Sequence, residues 1–172
     1  MHARITPIEN TPLQKVLLVV VVLLLLSPAA HAQITSVPPL LQGQASNHLW
    51  SIPGVINSGG LGTYVSCTNA NINPVRVGVE VFKSDGSSAN DTSATSLSIP
   101  AGGTALFGTS TAAGFVIDSN LLISSLPKGS ARVLATAKSH ILCTAFVADD
   151  TSIPPASMTS LTIVKKVTQK GE

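Results

Sequence analysis

The chain has little charge, few aromatics and almost no cysteine, and each shortage removes a class of function. Only 10% of its residues are Asp, Glu, Lys or Arg, so no basic field exists to draw in nucleic acid or an anionic lipid surface. Beyond the N-terminal leader, bases at 76, 83, 128, 132, 138, 165, 166 and 170 nearly balance acids at 80, 85, 91, 118, 149, 150 and 172. The whole-chain pI of 8.7 therefore overstates the basic character of the rest. A local patch around the C-terminal lysines is the most that charge supports. Aromatics make 3% of the chain, too few for an ordinary sugar-stacking surface. Trp50 and Tyr64 are the candidate ligand contacts, and positions in the core or at its boundary are the competing reading for both rings.

Two cysteines, Cys67 and Cys143, are too few for a disulfide-dense scaffold, and neither sits in a CxxC or Cys-His motif. In an exported chain they read as one disulfide. It would close a loop of 76 positions, for which loop entropy supplies roughly 4 kcal/mol. The sequence also lacks an apolar run long enough to span a bilayer. The run Val16 to Leu26 falls short of the roughly 20 residues required, follows Arg4 and Lys15, and precedes Ala30-His31-Ala32. That is the pattern of a signal peptide over residues 1–32, cleaved before Gln33. The alternative is an uncleaved anchor over residues 15–32, the one route by which the chain would touch a membrane.

What is plentiful is Val, Ile, Leu and Ala among Ser, Thr, Gly and Asn, a composition that favours β structure over disorder. Residues 33–48 read as an extended N-terminal segment, held out of helix by Pro38 and Pro39. Residues 49–172 read as one domain. Asn57 to Gly62 (NSGGLG) signals a turn, and Tyr64 to Thr68 a strand. Val75, Val77, Val79 and Val81 alternate with Arg76, Gly78, Glu80 and Phe82, a half-buried strand. Leu97 to Ile99 and Thr104 to Phe107 are shorter strands. Ser110 to Gly129 is undecided between strands and a helical turn. Ser130 to Asp150 reads as a hairpin at the centre of the fold. Its second arm, carrying Cys143, is apolar on both faces and so is expected to be covered on both sides. Ser160 to Val167 reads as a closing edge strand protected by Lys165 and Lys166.

About eight short strands separated by turn signals predict an all-β fold, a single antiparallel β-sandwich. The long-range disulfide resembles the inter-sheet bridge of immunoglobulin domains in architecture only. Trp50 precedes the first cysteine here, and Ile141 stands where that fold places its corner tyrosine.

No constellation declares catalysis. There is no GxSxG, and His140 and His48 lack an evident nucleophile. Asp149-Asp150 and the loop Asp85 to Asp91 offer oxygens for a weak calcium site but lack the spacing of an EF-hand, and solvated turns are the simpler reading of both. Asn90-Asp91-Thr92 fits a glycosylation sequon. The sequence calls for no cofactor and no metal. It predicts a secreted or periplasmic module with a structural or interaction role toward a protein or glycan partner. The alternatives are a carbohydrate-binding module using Trp50 and Tyr64, and a hydrolase built around His140 and Asp149.

Overall fold

The computed structural model describes residues 36–111 and 114–165. The expected leader (1–32) and the last residues of the expected edge strand, including Lys166 and Val167, lie outside the described residues. Those described form an all-β domain without a helix, so none is long and apolar enough to cross a membrane. Ten strands follow in order: β1 (Asn47–Ser58), β2 (Leu61–Asn69), β3 (Val75–Lys83), β4 (Leu97–Ile99), β5 (Thr104–Gly108), β6 (Ser119–Asn120), β7 (Leu126–Ala135), β8 (Ile141–Asp149), β9 (Met158–Leu161) and β10 (Val164–Lys165).

All ten join in one hydrogen-bonded sheet, curled until it is nearly barrel-shaped, rather than in two separate sheets. Its main path runs β4-β3-β7-β1-β2-β5-β6, with β8 on the other side of β2, β9 beyond β8, and β10 beside β1. Every pairing is antiparallel except the short parallel pair of β5 with β6.

β1 is the strand that lets one sheet serve both halves. Its pairing with β7 shifts register between Pro53 and Val55, where Gly54 has a φ of 79°, a bulge that bends the strand. At its end the turn signal holds: Gly59 and Gly60, both at positive φ, connect Ser58 to Leu61. Positive φ at both central positions is the twist-matched geometry for a two-residue hairpin. Where β1 and β2 then diverge, two threonines fill the seam. Thr63 Oγ1 accepts from the Ile56 amide and donates to its carbonyl, both at 2.9 Å. Thr109 Oγ1 accepts from the Thr63 amide and also donates to the Ile56 carbonyl.

Two expectations about pairing fail. Ser130 to Asp150 is not a hairpin. β7 lies between β1 and β3, whereas β8 lies between β2 and β9, so residues 136–140 cross from one half of the sheet to the other. Nor is β8 covered on both sides, since Leu142 and Thr144 are exposed. The strands buried on both faces are β3 and β7. Val75, Val77, Val79 and Val81 face the core as their alternation requires. The opposite face is covered because the N-terminal segment and the loop after β3 fold over it. Leu41 is fully buried there, above Gly78 together with Thr92 and Ser96.

The expected closing strand is split. β9 pairs with β8 and β10 with β1, so this segment passes between the halves. Residues 114–118 form a loop, not a strand, and of the Leu121 to Leu126 region only Leu126, the first residue of β7, is in a strand. The main core draws Ile52, Val77, Val79 and Val133 from one half of the sheet and Val65, Phe107 and Ala145 from the other.

Candidate functional site

The two cysteines are joined. Cys67 of β2 and Cys143 of β8 lie directly opposite each other in the register, with Cα atoms 4.2 Å apart. That spacing matches a non-hydrogen-bonded antiparallel pair, where side chains come closest. The bridge therefore ties two neighbouring strands within the sheet, and the comparison with an immunoglobulin inter-sheet bridge fails. Period-two patterning grouped Cys143 with Ile141, Ala145 and Val147 on one face of its strand but carried no information on which strand lay beside it.

Tyr64 is fully buried. It lies on the outer face of β2 beneath the loop 114–118, with ring centroids 5.0 Å from Phe115 and 5.4 Å from Phe146. Its hydroxyl has no hydrogen-bond partner among the described residues. Burial pushes the pKa of that hydroxyl above the ordinary tyrosine value. The Ser110 hydroxyl beside it works against this, and the charges of Asp150 and Asp149 add to it. Ser110 Oγ donates to Asp150 at 2.7 Å. Trp50 is half-buried against the main core, and its indole nitrogen is enclosed without a partner among the described residues. Neither ring stands on the surface as a stacking platform.

His140 immediately precedes β8 and Asp149 ends it, about 30 Å apart at the usual rise per residue, so they form no common site. His140 sits in the crossover at a φ of 62°, its Nδ1 2.8 Å from Ser139 Oγ. Its carbonyl accepts from the Ala70 amide at 2.8 Å, which docks the crossover on the β2–β3 loop.

The acids of the two candidate calcium loops are engaged in their own turns. Asp149 accepts from the Thr151 amide and hydroxyl, the Ser152 hydroxyl and the Ala156 amide. These bonds, the Ser152 and Thr151 hydroxyls foremost, hold its carboxyl well below the usual range. Asp85 accepts from the hydroxyl and amide of Ser87, which likewise lowers its pKa. Asp91 accepts from the amides of Ser93 and Ala94. Asn90 Oδ1 accepts from the Val81 amide and its Nδ2 donates to the Val79 carbonyl, each at 2.9 Å, and Nδ2 also reaches Thr95 Oγ1 at 3.4 Å.

Sequence reasoning missed three features. The first is the pair formed by Arg132 Nε and Glu80 at 2.7 Å, almost wholly buried on the outer face of β7 and β3. Arg132 also donates to the Ser36 carbonyl at 2.6 Å, so a buried cation pins the N-terminal segment to the sheet. The signal was present: opposite charges at alternate-face positions of two otherwise apolar strands. The second is Asn69, fully buried, whose Nδ2 donates to the carbonyls of Asn73 and Ile99 and organises two loops. The third is an exposed apolar face around Phe146. Met158 pairs with Ala148 on that face and is 65% exposed. Ile153 packs toward Gly114, and both it and Val116 are largely exposed beside the half-buried Phe115.

No protein-family model, no curated protein and no solved structure matches the chain.

Proposed function

We propose that this is an exported β-sandwich module, structural or interactive rather than catalytic, that holds a protein partner through the apolar outer face of β8 and β9. In this reading the two halves of the curled sheet act as the layers of the sandwich. Export rests on the leader pattern and on a disulfide suited to an oxidising compartment.

The observation that carries the proposal is the cluster of Met158, Val116 and Ile153, exposed around Phe146 and Phe115. Contiguous apolar surface on a soluble domain marks an interaction site more often than isolated residues do. The rings themselves are embedded, which suits a protein surface better than a stacked sugar.

A photo-cross-linking side chain placed at Val116 should capture one specific envelope or extracellular protein. The same group at exposed Ser88, on another loop, should not. Equal capture from both positions, or from neither, would remove the reading. Intact mass of the exported protein should correspond to a chain beginning at Gln33. A retained leader would instead favour the membrane-anchored alternative.

A further inference from the structure

We propose that the cleft between the N-terminal segment, the start of β1, the β7–β8 crossover and β10 binds an oxyanion group of the phosphate or sulfate class. The cleft has a volume of about 360 Å³, and its walls include Pro38, Ser46, Asn47, His48, Lys138 and Lys165. That volume lies within the range of small-ligand sites.

The argument rests on where charge falls. Lys138 comes from the crossover and Lys165 from β10, so two ammonium groups far apart in sequence line one concavity. No carboxylate lines it, and neither lysine has an ion-pair partner among the described residues. The acids among the described residues are committed elsewhere. Glu80 is paired with Arg132, and Asp85, Asp91 and Asp149 close their own turns. Asp118 accepts from the Leu106 amide, and Asp150 accepts from Ser110. In a domain with nearly equal numbers of acids and bases, two lysines facing one cleft without a counter-charge leave a local positive potential that an anion relieves.

The walls are also fixed in place. His48 Nε2 lies 3.1 Å from the Trp50 carbonyl and 3.0 Å from Ser51 Oγ. Asn47 Nδ2 donates to the Ala135 carbonyl at 3.3 Å, and Ser46 Oγ to the Pro39 carbonyl at 2.6 Å. The site shares no residue with the apolar face of β8 and β9, so either can fail without the other.

The test is an amide-shift titration of the full exported chain with inorganic phosphate and, separately, inorganic sulfate. Saturable shifts confined to Asn47, His48, Leu49, Lys138 and Lys165 are expected. Lys138→Ala and Lys165→Ala should each weaken binding roughly threefold or more, and the double variant should abolish it. Both side chains are exposed, so the variants should melt like the parent. Shifts that are diffuse or non-saturating, or that persist in the double variant, would overturn the proposal. A second arm separates the sources of the anion. Lysine-dependent sedimentation with phosphatidylglycerol vesicles assigns the group to a lipid headgroup. Phosphate binding without sedimentation assigns it to a soluble ligand.

Discussion

Among the described residues the fully buried hydroxyl of Tyr64 has no hydrogen-bond partner, and Gly62 is the residue that makes room for it. A Cβ built on Gly62 would come 2.7 Å from that hydroxyl and 3.0 Å from Ser110 Cβ. Gly62→Ala should therefore cost about 1–3 kcal/mol by overpacking, read from denaturant melts. Tyr64→Phe removes an unsatisfied polar group and should leave stability unchanged or raise it by roughly 1 kcal/mol. It should also recover part of the Gly62→Ala loss, because it deletes the closest obstacle. A loss above about 1 kcal/mol in Tyr64→Phe would show that the hydroxyl has a structural partner. Asp149 acts through charge instead. Its folded-state pKa is depressed by hydrogen bonds to the ionised form. The stability it supplies is therefore complete above its ordinary value near pH 4 and is lost as pH falls through the lower folded value. The melting temperatures of the parent and Asp149→Asn should differ at pH 6 and converge as the pH is lowered toward 2. A constant gap would mean that the loop does not depend on the ionised carboxylate.

β3 and β7 show what an element gains from a partner that its own pattern cannot name. Arg132 and Glu80 sit on them as a buried pair, and breaking such a pair from one side leaves an uncompensated charge. Arg132→Met should cost about 3–5 kcal/mol, whereas the double variant Arg132→Met/Glu80→Leu should recover most of it; no recovery would mean that the pair itself, not the orphaned charge, carries the energy. β2 and β8 are joined covalently, and Cys67→Ala/Cys143→Ala should lose roughly 2–4 kcal/mol, the gap to the parent closing when the parent is reduced. Alternation of side chains fixes which face of a strand is apolar, and the inward valines of β3 were readable from it. It is silent on neighbours. Ser130 to Asp150 reads as a hairpin because two strands stand close in sequence, yet Ala135 pairs with Val77 and Asn47 while Cys143 pairs with Cys67. Ser160 to Val167 reads as one strand, yet Leu161 and Lys165 bond to different halves. The candidate site was less legible still. Its apolar face assembles from β8, β9 and the loop 114–118, and the anion cleft from four segments, each too plain alone to signal anything.

At the scale of the whole molecule, the N-terminal segment is part of the fold and not a tail leading into it. Pro38 and Pro39 predict an extended chain, yet the segment turns tightly at Leu41–Gln44, and its outward look in sequence hides a fully buried Leu41 over Gly78 and a Ser36 carbonyl held by Arg132. This cover is why a valine strand that reads as half-buried ends up enclosed on both faces. The cover and the sheet beneath it should also be energetically coupled. Leu41→Ala should cost about 2–4 kcal/mol through lost burial and the cavity it leaves. Gly78→Ala should cost about 1–3 kcal/mol, because its Cβ would meet Leu41 Cδ2 and Thr92 Cγ2 at 3.0 Å. Since both changes act on one contact, the double variant should be less destabilised than the sum of the two, by about 0.5 kcal/mol or more. Strict additivity in denaturant melts would show that Leu41 and Gly78 do not share that contact, and that the segment lies on the sheet without supporting it.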